Sequence, residues 1–244
     1  MSNKLNCLSY WFPKIKAAGL PVPRTEIIAI PDDTYRELRC ILDGQWPESA
    51  TGFLVELVQA IEAIGKPCFL RTGQVSGKHN WKHTCYLSDP TAIRQHVYNL
   101  AEWSECAGFM GLPWNVWCVR ELLPTEPVIT CDRYGGMPVA KEFRVFVRNG
   151  QVACRHPYWP RDALAKGMSQ LPTDLDSRYE QLCHLSQDEA LEVDMLALRA
   201  GEAVTGAWSI DILKTASGWY VIDMACAEES FHWPGCPNAK TSEA

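Results

Sequence analysis

The feature that most constrains this sequence is an Asn149-Gly150 pair between two apolar runs, KEFRVFVR before it and QVACRHPYW after it. Asn-Gly favours the left-handed backbone of a two-residue hairpin turn, so the two runs are predicted to be antiparallel strands. A second pair of apolar runs, WSIDIL and WYVIDMA, lies on either side of Ser217-Gly218 and predicts a closing hairpin. The C-terminal part of the chain is therefore predicted to be a mostly antiparallel sheet.

The N-terminal part mixes helical and strand patterns. Helices are predicted over 9–19, 31–42, 51–65 and 91–108, and strands over 25–30, 66–72 and 81–87, the last two joined by a turn that contains Gly73 and Gly77. A helix over 186–205 begins with the capping-box pattern Ser186 to Glu189. This order predicts an α+β fold. We expect an N-terminal lobe over 1–112, with a short pre-region over 1–20, and a C-terminal lobe over 113–244 with a loose tail from about 234.

Charge and hydropathy exclude several classes of partner. Lys and Arg number 23 against 29 Asp and Glu, a net charge of −6, and no basic run offsets this deficit, so a nucleic-acid partner is not expected. The sequence has no apolar run long enough to span a membrane and no signal-peptide pattern, so we expect a cytoplasmic protein without a membrane partner.

The cysteines do not form a recognisable pattern. There are 11 of them with no CxxC, mostly inside apolar segments, and buried free thiols are the better interpretation. Two groups combine His with Cys over a short stretch: His79, His83 and Cys85, and Cys226, His232 and Cys236. Neither has the spacing of a known closed zinc site.

The first candidate site is the glycine loop Thr72 to Lys78, because its backbone N–H groups and its lysine could bind a polyphosphate. Its spacing differs from that of a Walker loop, and an ordinary hairpin loop is an equally open interpretation. Arg71, at the end of the preceding apolar strand, favours an anion site, because a charged residue in that position requires a partner.

Two further groups lie on the predicted C-terminal strands. Strand alternation places Glu142 and Arg144 on one face, either in a cleft or in a structural ion pair. Asp211 and Asp223 each lie between large apolar residues, where a carboxylate requires a cation. Counting outward from Ser217-Gly218 places Asp211 opposite residue 223 or 224, so the two carboxylates are expected to be neighbours that could share Mg²⁺.

Taken in order, these segments resemble the ATP-grasp superfamily, in which two α+β lobes bind ATP. The similar segments are AAGLPVPRTEII, KPCFLRTGQVSGKHNW, VRELLP and YVIDMA. The strand pair KEFRVFVRNGQVACRHPYW is similar to that of the eukaryotic cell-division-cycle assembly factors and of a phage and bacterial clade proposed to make peptide-like bonds.

The resemblance implies a role for individual residues. Arg71 takes the place of the usual phosphate-binding Lys, Lys78 covers the phosphates, and Glu121 contacts the adenine or ribose, with the backbone of Leu122 and Leu123 reading the adenine edge. Lys141 and Glu142 join the nucleotide site. Arg144 contacts the γ-phosphate or the acyl phosphate, and Asp211 and Asp223 hold Mg²⁺.

One position departs from the family pattern. The last strand usually reads E-x-N or D-x-N, whereas Ala225 stands here in place of the amide ligand, and Glu228 is the candidate substitute. The resemblance implies an ATP- and Mg²⁺-dependent ligase that joins a small-molecule or peptide carboxylate to an amine through an acyl phosphate, with a protein acceptor also open. A nucleotide-binding assembly factor and a phosphotransferase are the alternatives.

Overall fold

The structure is a computed structural model that describes residues 2–107 and 110–239. The chain divides into two compact units. The loop unit comprises residues 23–123 and 133–137, and the hairpin unit comprises 2–22, 124–132 and 138–239, each within the described residues. Among these residues, no helix has both the length and the apolarity needed to cross a membrane.

The helices and strands follow one another along the chain in the mixed order predicted. The helices are α1 (Ser2–Leu5), α2 (Leu8–Ala17), α3 (Asp32–Leu38), α4 (Ser49–Ile64), α5 (Ile93–Glu105), α6 (Arg161–Lys166), α7 (Leu175–Cys183) and α8 (Gln187–Glu202). The strands are β1 (Thr25–Ala29), β2 (Cys68–Thr72), β3 (Tyr86–Leu87), β4 (Val116–Glu121), β5 (Ile129–Cys131), β6 (Met137–Val139), β7 (Glu142–Arg148), β8 (Gln151–Pro157), β9 (Trp208–Thr215) and β10 (Gly218–Cys226). Short 3₁₀ helices occupy Arg39–Asp43, Lys78–His83, Pro90–Ala92, Asp132–Tyr134 and Ala227–Glu229. The predicted α+β class is confirmed.

The loop unit is a four-stranded antiparallel sheet, in the order β1-β4-β2-β3, against which α4 and α5 pack. The apolar positions of α4 recur every three or four residues, so Phe53, Leu57 and Ile61 lie on one buried face. They belong to a core that also contains Leu70 of β2 and Trp117 of β4. The burial of such side chains, worth about 1.5–3 kcal/mol each, is what fixes β2 and the loop that follows it.

The segment after the glycine loop differs from its predicted form. A strand over 81–87 was expected, but Lys78–His83 form a 3₁₀ helix and only β3 pairs with β2. The physical reason is local: the Thr84 hydroxyl donates to the carbonyl oxygens of Gly77 and Asn80, at 2.6 and 2.8 Å, which closes the helical turn. The expectation of a strand over 81–84 was therefore wrong, while the antiparallel return of the chain is confirmed.

The hairpin unit is a four-stranded antiparallel sheet in the order β10-β9-β7-β8. Both predicted hairpins are present: Asn149 and Gly150 adopt φ of 50° and 71° between β7 and β8, and β9 returns through Ser217-Gly218 as β10. Helix α8 packs closely on β7, because a Cβ on Gly201 would lie 2.8 Å from Val147 Cγ1.

The boundaries of the compact units differ from the predicted boundary at 112/113. Strand β4 pairs with β1 and β2 and therefore belongs to the loop unit. Residues 2–22 belong to the hairpin unit, where Asn6 Oδ1 accepts from the Cys226 N–H at 2.7 Å and Pro21 O accepts from the Val221 N–H at 2.9 Å. The lobes over 1–112 and 113–244 remain a prediction. Gly108, the predicted end of α5, and residues 240–244 of the predicted tail lie outside the described residues.

The predicted capping box of α8 is present and is extended by two ion pairs. The Ser186 hydroxyl accepts from the Glu189 N–H, and the Glu189 carboxylate accepts from the Ser186 N–H. The same carboxylate lies 3.5 Å from Lys141 Nζ and 3.6 Å from Lys214 Nζ. Burial raises the pKa of Glu189, but the Ser186 N–H and the two lysine charges outweigh burial and lower the pKa overall. Glu189 therefore joins α8 to β7 and β9.

Glu189→Gln should lower the free energy of unfolding by about 1 kcal/mol near neutral pH, because glutamine retains the cap but loses both ion pairs. A lowered folded-state pKa stabilises above the unfolded-state pKa and ceases to do so as the pH falls through the folded-state value. Urea unfolding should therefore show a difference between wild type and variant that disappears below about pH 4. Glu192→Gln, at an exposed position on the same helix, is the matched control. An equal effect of both variants would contradict the assignment.

Candidate functional site

The centre of the hairpin unit is an ion pair between neighbouring strands. Arg144 of β7 lies opposite Asp211 of β9, and its Nε and Nη2 donate to Oδ1 and Oδ2 of that carboxylate at 2.7 and 2.8 Å. The Asp211 side chain is 5% exposed and the Arg144 side chain 20% exposed. This two-bond fork fixes the orientation of the guanidinium, because neither side chain can rotate without losing both hydrogen bonds.

Asp223 lies beside this pair. In the β9/β10 register Asp223 is opposite Asp211, as counting from the turn predicted. The register shifts between Val221 and Asp223, so that Ile222 is an additional residue on β10. Without the bulge, Asp223 would be paired one position further along β9. The bulge therefore brings the second carboxylate level with the first.

Arg144 is influenced by each of its neighbours. Burial lowers the pKa of this guanidinium, but the Asp211 carboxylate, Tyr158 and Asp223 outweigh burial and raise it overall. The Tyr158 ring also faces the guanidinium, with its centroid 4.8 Å from the central carbon. Tyr158 was missed by sequence reasoning, although it immediately follows β8 and its N–H donates to Glu142 O at 2.8 Å. Its position relative to β7 was the signal that could have identified it.

The donor set suits a hard divalent cation. Asp211 and Asp223 supply carboxylate oxygens, which Mg²⁺ prefers, and a carboxylate oxygen that accepts from Arg144 retains a further lone pair. Ala225, which is paired with Ser209, offers no side-chain ligand. Glu228 lies in the 3₁₀ turn after β10, 60% exposed and 3.7 Å from Arg148 Nη1. The structure therefore brings Arg144, Asp211 and Asp223 together and places Glu228 in an exposed ion pair.

Arg71 lies at the end of β2 in the loop unit. It is 3% exposed, and its Nε donates to Thr72 O at 3.0 Å. The charges of Arg71 and Lys78 both act on Cys85, so the two cations of the predicted phosphate site lie in one neighbourhood. Burial raises the pKa of Cys85 to about 12 despite a hydrogen bond with Thr84 and these charges, so its thiol stays protonated and is a poor nucleophile.

The glycine loop itself is tightly closed. The Val75 N–H donates to Thr72 Oγ1 at 2.9 Å, and the Thr72 N–H donates to Val75 O at 3.0 Å. Gly77 has a φ of 62°, and a Cβ there would lie 3.0 Å from Thr84 Cβ. His96 Nδ1 is 2.7 Å from Thr84 O, which attaches this segment to α5. Lys78 thus begins a 3₁₀ helix whose preceding turn is fixed by packing.

The predicted adenine-binding segment is at the end of β4. The Glu121 carboxylate accepts from the Arg24 N–H at 3.1 Å, and its N–H donates to Arg24 O at 2.8 Å. Leu122 and Leu123 are half-buried and extend β4 without strand pairing. Glu121 therefore has a structural partner just before β1, and any nucleotide contact would be made by the rest of its carboxylate.

Lys141 and Glu142 lie at the start of β7. Lys141 is part of the Glu189 ion-pair group described above. Glu142 is 6% exposed and lies opposite Leu213 of β9. Residues 142 and 144 share one face by strand alternation, as predicted. Of the two open interpretations for Arg144, a structural ion pair is present, with Asp211 rather than with Glu142 the partner in the fork.

Comparison with known families follows from the sequence and the fold. Residues 62–241 match the model of an ATP-grasp domain family, the third family of its clade. No curated protein matches the chain by sequence.

Solved structures with the same fold include Cdc123 from Schizosaccharomyces pombe, with a TM-score of 0.54 and 13% identity over 92% of this chain and 84% of that one. The D-alanine–D-alanine ligase of Bacillus anthracis, complexed with ATP, gives 0.50 and 8% over 92% and 55%. A biotin carboxylase–ATP complex from Campylobacter jejuni gives 0.52 and 13% over 91% and 40%. The chain thus spans little more than half of the ligase and less than half of the carboxylase, and identities this low show the fold alone.

Asp211→Ala should destabilise the protein by about 3 kcal/mol, because it leaves the largely buried Arg144 guanidinium without the partner of its two-bond fork. Asp223→Asn should cost less than about 1 kcal/mol, since it removes one of two neighbouring carboxylates and leaves the fork intact. Urea unfolding of both variants and of Asp211→Ala/Arg144→Ala measures this. The double variant should cost less than the sum of the single ones, and simple additivity would show that the pair is not coupled.

Proposed function

Because the chain belongs to this family of ATP-grasp domains, we propose that it is an ATP- and Mg²⁺-dependent ligase that joins a carboxylate to an amine. ATP-grasp proteins are typically ATP-dependent ligases. The observation that supports the proposal is the arrangement of Arg144 between a buried carboxylate on one strand and a second carboxylate on the next. Such a group offers both a cation site and N–H donors for a phosphoryl group.

Nucleotide binding is assigned to residues of both units. In the loop unit, Arg71 and Lys78 would bind phosphate oxygens, because their charges lie together beside a loop with backbone N–H groups. Glu121 would contact the ribose or adenine, with the backbone of Leu122 and Leu123 reading the adenine edge. In the hairpin unit, Lys141 and Glu142 would contribute to the nucleotide site next to Arg144.

The proposed reaction has two transfers. A substrate carboxylate oxygen attacks the γ-phosphorus of ATP, ADP leaves, and the amine nitrogen then attacks the acyl carbon to release phosphate and form the amide. Arg144, oriented by Asp211, would donate to the phosphoryl oxygens as negative charge develops. Asp211 and Asp223 would hold Mg²⁺, which neutralises phosphate charge when bound. A side-chain nucleophile is not required, which agrees with the protonated state of Cys85.

An assembly factor that binds nucleotide without ligating anything is the second candidate. The observation in its favour is Ala225, which leaves the last strand without the amide ligand of the family pattern. Glu228 would substitute only by leaving Arg148, but an exposed ion pair at 3.7 Å is worth less than about 1 kcal/mol and does not prevent the exchange. A phosphotransferase would stop at the phosphorylated substrate.

Release of ADP and phosphate, measured against a panel of amino acids and short peptides, separates the three functions. Turnover that requires one carboxylate and one amine together supports the ligase. Turnover with a carboxylate alone, accompanied by a stable phosphorylated product, supports the phosphotransferase. ATP binding that no member of the panel converts to turnover favours the assembly factor.

Arg71→Ala should weaken ATP binding by roughly 10- to 150-fold, the loss expected when charge-assisted hydrogen bonds to phosphate are removed. Isothermal titration with ATP and Mg²⁺ measures the affinity, and urea unfolding in the absence of nucleotide verifies that the variant is folded. Arg120→Ala is the matched control, because Arg120 is also buried in this sheet but donates to Thr25 Oγ1. Equal losses in the two variants would assign Arg71 to the fold rather than to the phosphates.

Asp223→Asn should abolish Mg²⁺-dependent turnover while the protein stays folded, because the remaining carboxylate is already engaged by Arg144. Glu228→Gln tests the substitute ligand: a raised Mg²⁺ requirement with near-normal maximal turnover is expected if Glu228 completes the site. Arg148→Gln, which removes the partner of Glu228, is its control. Normal Mg²⁺-dependent turnover in Asp223→Asn would remove the metal role from this residue.

A further inference from the structure

A second group of metal-binding side chains lies on the other side of β7. Cys154 and His156 are two residues apart on β8 and so share one face of that strand, while His232 and Cys236 belong to the segment after β10. One ligand atom from each of these four residues lies within 4.8 Å of all the others. The distance from Cys154 Sγ to His232 Nδ1 is 3.6 Å.

These distances approach those of a tetrahedral zinc site. Zn–S bonds of about 2.3 Å and Zn–N bonds of about 2.0–2.1 Å place ligand atoms roughly 3.3–3.8 Å apart. The Cys154 to His232 separation already has that length, and closing the rest requires shifts of about 1 Å or less, within side-chain rotation. Two thiols and two imidazoles are the ligands of structural zinc, whereas Mg²⁺ prefers oxygen.

Two histidine nitrogens in this group lack hydrogen-bond partners among the described residues. They are the Nε2 atoms of His156 and His232, and both are buried. Buried side-chain polar atoms are almost always satisfied, and leaving one unsatisfied costs on the order of 1–3 kcal/mol. A metal ion bound to an imidazole occupies such a nitrogen. Two unsatisfied ring nitrogens beside two thiols therefore point to a cation.

The surroundings hold both rings in place. Phe146 stacks on His232 with ring centroids 3.7 Å apart, and Trp233 is nearly parallel to His156 at 6.2 Å. Stacked neighbours restrict rotation of each imidazole, as outer-shell contacts do in metal sites. Arg144 and Arg148 lie close enough to act on the charge of His232, so a dication here requires anionic ligands. Two thiolates provide them and bring the charge of the centre to zero.

The segment 231–239 has little else to fix it. None of the side chains in this described stretch is buried, and Phe231 is 57% exposed. Asn238 Nδ2 nevertheless donates to Ala153 O of β8 at 2.9 Å, so the segment returns to this strand at the edge of the sheet. Without an apolar core, a short segment is commonly held by a disulfide or a metal.

We propose that Cys154, His156, His232 and Cys236 bind one Zn²⁺ in a structural Cys₂His₂ centre that attaches the segment 231–239 to β8. Four protein ligands fill the tetrahedral shell and leave no open position for a substrate, which makes the centre structural rather than catalytic. The proposal is independent of ATP and of the carboxylate site, whose oxygen donors select a different class of cation.

The experiment uses the full chain, purified with reductant and without added chelator. Elemental analysis should find about one equivalent of zinc per chain, and the chelator-treated protein should bind about one equivalent of Co²⁺. Bound Co²⁺ should show the absorption of a tetrahedral ion together with thiolate-to-cobalt charge transfer. Removal of the metal should lower the midpoint of thermal unfolding and make the chain after β10 more sensitive to protease.

Cys154→Ser and Cys236→Ser should reduce bound zinc to less than about a tenth of the wild-type amount and abolish the charge-transfer band. Cys226→Ser is the matched control, since Cys226 lies ten residues before Cys236 but outside the group. Circular dichroism verifies the folding of each variant, and the cobalt spectrum of the wild type tests the site without any substitution.

Three results would overturn the proposal. One is wild-type protein that binds neither zinc nor cobalt with thiolate character. Another is a loss of metal in Cys226→Ser as large as in Cys236→Ser. The third is a Cys154 to Cys236 disulfide in protein purified without oxygen, because the two thiols would then be joined to each other rather than to a metal.

Discussion

The two-bond fork between Arg144 and Asp211 is the interaction on which the hairpin unit depends. A guanidinium in the middle of a sheet is tolerated only with a carboxylate in register, so the pair specifies which residues of β7 and β9 are opposite each other. The bulge on β10 then adds Asp223 beside the pair. One cation and two carboxylates leave a net negative charge, and this charge is the physical reason for expecting a further cation here.

Strand β7 separates two kinds of chemistry. On one side, β9 and β10 present carboxylates, and on the other side His156 of β8 is directly opposite Arg144. Oxygen donors select Mg²⁺ and sulfur with imidazole nitrogen selects zinc, so neighbouring strands can offer sites to different metals without competition. The proposed zinc centre would also fix β8, the edge strand, and through it the side of the sheet where Tyr158 faces Arg144.

Local signals in the sequence predicted those parts of the fold that short-range chemistry determines. Asn149-Gly150 identified one hairpin, and counting from Ser217-Gly218 placed Asp211 opposite Asp223, because a tight turn determines the register of its strands. The 3₁₀ helix after the glycine loop was not predicted, since it depends on the hydroxyl of Thr84. Helices α6 and α7 were likewise not predicted. The four-residue His and Cys group could not be predicted either, because spacing rules pair near neighbours, whereas the fold joins Cys154 to a histidine 78 positions away.

Ala225 determines how strongly the carboxylate site can bind a cation. Of the two carboxylates, Asp211 already shares its charge with Arg144, so Asp223 is the main source of uncompensated charge. Phosphate oxygens of a nucleotide would supply the ligands that the missing amide does not, which couples metal binding to nucleotide binding more tightly than in a site with three protein ligands. A weak site in the free protein is therefore compatible with a ligase, because the metal is required only when ATP is bound. What distinguishes a ligase from an assembly factor is thus the response of the nucleotide complex to substrates.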